Sequence, residues 1–135
     1  MRDPDGHSLG SLPCFKPPWG RLIAVNAATG DFAWEVPLGI TEILPTEKQH
    51  TGVSNSAGAI ATAGGLVFIG STSDRRFRAF DSKTGKELWV TKLDHTATAN
   101  PMTYRGKSGK QYVGIVAAAG GGDARTQGLM VFALL

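Results

Sequence analysis

A chain of 135 residues, 41% of them apolar, is long enough to bury a core, which excludes disorder throughout. No apolar run approaches the length of a membrane span, and a net charge of +3 spread along the chain is too mild to point to nucleic acid. The 18 glycines and 7 prolines suit many short strands joined by tight turns.

Residues 1–16 read as an irregular segment. The opening MRDPDGHSLGSLP has no apolar core and is not a secretory signal. Either the protein is cytoplasmic, or an exported N-terminal part lies outside this chain. Within it, GHSLG matches the spacing of a serine nucleophile elbow. The elbow needs a strand leading in and a helix leading out. Neither flank can supply one, so Ser8 is not read as a nucleophile. Cys14 has no second cysteine to pair with and reads as a buried or incidental thiol.

From residue 17 a repeat governs the chain. AVNAATGDFAW (24–34) returns as AFDSKTGKELW (79–89), with tryptophans at 34 and 89, 55 residues apart. A period of this size is a sign of propellers and other arrays. RLIAVN and RFRAFD are strand-like runs ending in Asn26 and Asp81, whose side chains can bond turn amides. Gly30 and Gly85 supply the positive φ of a tight hairpin. The next strand carries Trp34 or Trp89, a flat group able to pack between neighbouring sheets.

Around the second copy, breaks at Gly64-Gly65, Ser73-Asp74 and Thr84-Gly85 mark four strands, at about 58–63, 65–71, 76–81 and 86–92. Four antiparallel strands make one propeller blade. NPMTYRGKSGKQYVGIV then reads as a hairpin turning at GKSG, and GLMVFALL as a last strand. No helix of convincing period is visible. The fold class is therefore all-β. Residues 17–38 end one blade, 57–93 form a complete one and 98–135 a partial one. That is about two and a quarter blades, where closed propellers use four to eight. Such a piece leaves open edges, so it belongs to a larger protein or assembles with other chains, including a ring of its own copies.

Other motifs fail on context. GKS at 106–108 would need a glycine five positions earlier to be a phosphate loop, and Pro101 stands there. His7, His50 and His95 are too scattered for a metal site. AAAGGGD (117–123) is glycine-rich but lies between strands, which does not suit a dinucleotide site. Arg75, Arg76 and Arg78 read as a solvated strand edge.

The repeat resembles the tryptophan-docking motif of eight-bladed quinoprotein propellers, the dehydrogenases that use pyrroloquinoline quinone (PQQ). PPWGRLIAVNAATGDFAWEVPLG (17–39), IATAGGLVFIGSTSDRRFRAFDSKTGKELW (60–89) and NPMTYRGKSGKQYVGIVAAAGGG (100–122) resemble, in that order, the C-terminal part of such enzymes. The membrane-type glucose dehydrogenase branch and related sugar or alcohol dehydrogenases are the most similar. The resemblance implies oxidation of a sugar or alcohol. A calcium-type metal polarises the quinone, a carboxylate takes the hydroxyl proton and hydride passes to PQQ. Electrons then leave to a quinone or cytochrome at the periplasmic face of the inner membrane. It also places the metal ligands and the catalytic Asp upstream of the part matched. No metal ligand and no general base is therefore assigned in this chain, and by itself the chain is expected to be inactive.

Within the chain the resemblance singles out two cofactor-facing stretches. In TGVSNSAGA (51–59), Asn55 can bond a quinone carbonyl or a substrate hydroxyl, because an amide both donates and accepts. The stretch departs from the Asn-x-Gly-Gly-Pro of the sugar branch at Ala57 and Ala59, and Ser56 stands where the alcohol branch has tryptophan. In AGGGD, Gly121 and Gly122 allow close backbone approach to the cofactor. Gly122 stands where relatives carry an aromatic or a histidine. Asp74 and Asp123 are expected near the substrate entrance, Trp34 and Trp89 as docking residues, and Trp19 as a packing residue. The alternative is a non-enzymatic PQQ-like propeller that serves as an envelope scaffold or assembly factor.

Overall fold

The computed structural model describes residues 12–56, 58–97, 99–118 and 127–133. Among these residues nine strands follow in chain order: β1 (Arg21–Val25), β2 (Phe32–Pro37), β3 (Ala59–Ala61), β4 (Leu66–Ile69), β5 (Arg76–Asp81), β6 (Glu87–Lys92), β7 (Met102–Arg105), β8 (Gln111–Ala118) and β9 (Gln127–Ala133). A single 3₁₀ turn, Thr46–Lys48, interrupts the β2–β3 connection. Strands β1–β2, β3–β4–β5–β6 and β7–β8–β9 form antiparallel sheets of two, four and three strands. Each strand pairs with its sequence neighbour, so no crossover is needed.

The two repeats fold alike down to single atoms. Asn26 Oδ1 accepts from Ala28 N–H (2.9 Å), and Asp81 Oδ1 accepts from Lys83 and Thr84 N–H (3.0 and 2.8 Å). The carbonyls of Asn26 and Asp81 accept from Gly30 and Gly85 N–H. Both glycines sit at positive φ, +80° and +70°. Ala24 faces Trp34 across the first hairpin, and Ala79 faces Trp89 across the second. A register shift follows directly after each alanine. The small residue leaves room for the indole, and the extra residue of the bulge sharpens the local twist.

Two apolar clusters lie between the sheets. Leu38, Ile69 and Phe80 join the first sheet to the second, with Leu22, Val36 and Val67 packed around them. Phe68, Phe77, Ala79, Leu93, Val113 and Ile115 join the second to the third. Strand β5 is buried on both faces, because it is an interior strand of a sheet that is itself covered on both sides. That placement corrects one expectation: Arg78 is 2% exposed, not on a solvated edge. Cys14 is exposed.

Strand direction sorts the connections into two ends. Strands β3 and β5 start, and β4 and β6 finish, at one rim, which carries residues 38–56, 70–75 and 93–97 of the connections. The Ala97–Ala117 bridge and the Ala118 N–H to Thr96 carbonyl bond (3.1 Å) bring the end of β8 to the same rim. The turns at 62–65 and 82–86 lie at the opposite end.

Candidate functional site

The rim carries Asn55 and Asp74, two of the residues singled out from the sequence. The β2–β3 connection folds back on itself there. Thr41 N–H bonds the Gln49 carbonyl (2.9 Å), the Gln49 side chain bonds the Leu44 carbonyl (2.9 Å), and Thr41 and Thr51 share a hydroxyl contact (2.6 Å). Glu42 on this loop bonds Arg76 (2.7 Å) and Lys92 (2.9 Å) of the middle sheet. These two cations hold its carboxyl below the usual range, Lys92 most strongly. A cleft of about 480 Å³ opens beside the loop, lined by Trp19, Ile40, Ile43, Ser54, Ser73 and Asp74 among others. Its size and its mix of aromatic, aliphatic and hydroxyl groups fall within the range of small-ligand sites.

Asp74 is the anchor of the rim. Its side chain is 1% exposed and forms a buried ion pair with Arg78. One oxygen accepts from the Thr72 hydroxyl (2.6 Å), and the other from Ile40 N–H (2.9 Å). Arg78 reaches on to Thr72 (3.0 Å) and Glu87 (3.1 Å). Burial pushes the Asp74 carboxyl up. The bonds from Arg78, Thr72 and Ile40, with the charge of Arg78, outweigh it and hold the group below its ordinary value. Asp74 thus borders the cleft with its carboxylate turned to protein donors. The turn that holds it contains two non-glycine residues at positive φ, Ser71 (+61°) and Arg75 (+56°).

Asn55 is exposed on the same rim and bridges to Thr72. Its Nδ2 donates to the Gly70 carbonyl (3.2 Å), and Ser56 N–H donates to the Ser71 carbonyl (3.3 Å). The segment before β3 is therefore laid against residues 70–72. Ser71 is 3% exposed, and its Oγ is the one buried side-chain polar atom without a hydrogen-bond partner among the described residues. Neither the Arg78 ion pair nor this orphaned hydroxyl was evident from spacing, since both depend on which residues the turn tucks inside. Gly121, Gly122 and Asp123 lie outside the described residues. Among the described residues no three of His, Cys, Asp or Glu stand together as a metal site would require.

The two tryptophans sit between sheets. Trp34 Nε1 donates to the Ser82 carbonyl of the middle sheet (2.9 Å), and its ring covers Gly85. Trp89 packs edge-on against Phe77 and against Phe132 of β9, with centroids 5.8 and 5.2 Å apart. Trp19 bonds backbone twice, its N–H to the Thr51 carbonyl and its indole to the Phe15 carbonyl (2.8 Å).

Residues 2–113 match the family model described as glucose/ethanol/alcohol dehydrogenase, β-propeller domain, of the PQQ type. The chain belongs to the PQQ-dependent dehydrogenase propeller family. It is 40% identical over 129 residues to a quinate/shikimate dehydrogenase (quinone) of Acinetobacter baylyi, covering 90% of this chain and 16% of that protein. Quinoprotein glucose dehydrogenase A of Acinetobacter calcoaceticus is 38% identical, over 91% of this chain and 16% of its own length. Among solved structures, a quinohemoprotein alcohol dehydrogenase from Comamonas testosteroni superposes with a TM-score of 0.59 at 26% identity, over 84% of this chain and 16% of that one. A europium-containing methanol dehydrogenase superposes at 0.57 and 36% identity, over 73% of this chain and 15% of that one. The chain thus spans about a sixth of the length of its quinoprotein relatives, and its sheets are blades of the PQQ propeller.

Proposed function

We propose that this chain contributes blades to a PQQ-dependent dehydrogenase that oxidises a sugar or an alcohol and passes the electrons to a quinone or a cytochrome. The observation that carries this is the rim itself. In a chain of this family, Asn55 stands exposed at a rim that also carries a cleft of small-ligand size. PQQ supplies the redox chemistry, because it accepts the hydride of the substrate. Its quinone and carboxylate oxygens need donors, and the Asn55 amide at this rim is one.

In this reading the chain's own groups bind and shape rather than react. The Asn55 amide bonds a quinone oxygen or a substrate hydroxyl. Gly121 and Gly122 let backbone come close to the cofactor. Asp74 and Asp123 stand at the substrate entrance. Asp74 acts there by fixing Ile40 and Thr72, which shape the cleft, since its two oxygens already accept from protein donors. A calcium-type metal and the general base come from blades outside this chain. Relatives named for quinate, glucose and glycerol share a polyhydroxylated substrate, and that class fits a cleft with an indole and three hydroxyl residues in its wall. The working place is the periplasmic face of the inner membrane. Among the described residues no helix is long and apolar enough to cross a membrane.

The test is to express the longest reading frame that carries this chain, add PQQ and calcium, and follow dye reduction with glucose, quinate and simple alcohols. Reduction that needs PQQ supports the reading and names the substrate. A folded propeller that binds no PQQ overturns it in favour of an envelope scaffold.

A further inference from the structure

We propose that the side-chain amide of Asn100 donates a hydrogen bond to the bound cofactor. The inference rests on the dehydrogenase reading above and adds to it a residue that no sequence motif singled out.

The two larger sheets meet at one edge and part at the other. Where their first strands begin, ahead of β3 and β7, Asn100 Oδ1 accepts from Gly58 N–H at 2.7 Å. At the far edge a groove of about 540 Å³ opens between Leu88 and Trp89 of β6 and Val131 and Ala133 of β9. The sheets therefore fan out from the β3–β7 edge. In a ring of blades the converging edges surround the central channel. A cofactor held on the axis of the ring meets this edge, at the rim where β3 begins. Asn55, Ser56, Gly58 and Asn100 are all exposed there.

The Asn100 amide is fixed in a way that leaves a donor. Only the amide oxygen can accept an N–H, so the bond to Gly58 decides which way the group is turned. Nδ2 meets no acceptor among the described residues. The next residue, Pro101, is buried and holds the backbone. A donor already held in place loses little freedom when a ligand binds. Gly58 lies three residues after Asn55, at most about 11 Å along the chain. The quinone and carboxylate oxygens of PQQ are acceptors, so one flat cofactor of fused rings can meet both amides.

Two substitutions separate the donor from the tie between sheets. Asn100→Asp keeps an oxygen for Gly58 N–H and removes the donor, whereas Asn100→Ala removes both. In the longest reading frame that carries this chain, PQQ affinity is read by quenching of tryptophan fluorescence, and thermal melting is measured without PQQ. Asn100→Asp is expected to melt as the parent does, and Asn100→Ala somewhat lower. Both are expected to bind PQQ at least about tenfold more weakly. Affinity within twofold of the parent in both variants overturns the proposal. Weakening in Asn100→Ala alone also overturns it, because the amide then serves only as the tie to Gly58. Weakening in Asn100→Asp alone overturns it as well, since repulsion by the new charge is then responsible. If Asn100→Ala fails to fold, Asn100→Asp is measured at low and high salt. A loss that persists at high salt supports the contact, and one that vanishes there overturns it. A parent protein that binds no PQQ at all instead overturns the dehydrogenase reading.

Discussion

Trp34 covers Gly85 so closely that a methyl group on Gly85 would come within 2.6 Å of its ring. The indole N–H meanwhile bonds the Ser82 carbonyl of the same turn. The tryptophan of one repeat thus docks on the Thr-Gly turn of the next. The sequence period and the packing between sheets are one relationship, because each unit carries both the docking group and the turn that receives one.

Gly85→Ala should therefore cost more than a turn substitution alone. Gly30 has a similar positive φ, but among the described residues nothing lies within 4 Å of where its Cβ would be. Gly30→Ala is expected to lose roughly 1–2 kcal/mol from the left-handed backbone. Gly85→Ala should lose at least about 1 kcal/mol more, from displacement of Trp34. Urea melts of the two variants read the difference directly, and equal losses would show that the indole does not dock in solution.

Breaking the buried pair should be severe. Arg78→Met alone leaves the buried Asp74 carboxylate without its guanidinium, and Asp74→Asn leaves Arg78 with only the half-exposed Glu87 as its carboxylate partner. Each is expected to cost roughly 3–5 kcal/mol. The double variant should lose clearly less than the sum, since neither charge is then stranded. A double-mutant cycle by denaturant melting checks both statements.

The same carboxylate sets an acid limit. The folded Asp74 titrates below its ordinary value of 3.8, so its contribution is fully present above that pH. It is lost as the pH falls from there through the lower folded value. The parent protein should lose melting temperature steeply below about pH 4, and Asp74→Asn should show a shallower fall over the same window. Parallel acid profiles would remove Asp74 from the explanation.

Asn55→Ala tests the proposed cofactor contact. Its side chain is exposed and donates to the Gly70 carbonyl (3.2 Å), so melting without PQQ should fall by roughly 1–2 kcal/mol at most. PQQ affinity should fall about tenfold, the worth of one hydrogen bond of roughly 1.4 kcal/mol. A variant that binds PQQ as the parent does would leave Asn55 as a loop residue only.

Much of the architecture was legible because it is local. Asn26 and Asp81 close their turns on amides two or three residues away, and Gly30 and Gly85 meet a φ that other residues resist. Strand β5 falls at 76–81 as read from RFRAFD, and the turn before Gln111 falls in GKSG. Shorter strands such as β3 closed in by a residue or two, because strand ends depend on pairing partners. Arg78 was misplaced on a solvated edge for a different reason. An alternating Arg-Phe-Arg run signals one wet face, but a second sheet covers that face and Asp74 neutralises the charge there.

By itself, then, the sequence determined the hairpins, the repeat that makes them blades and the family they belong to, since these follow from residues close together in the chain. Only the tertiary structure decided that Trp34 seals against Gly85, that Arg78 is buried against Asp74, and that Ser71 is buried at positive φ with no hydrogen-bond partner for its hydroxyl among the described residues. Each of these depends on chain segments that folding brings together, and the free energy of burial there is a property of the neighbours rather than of the residue.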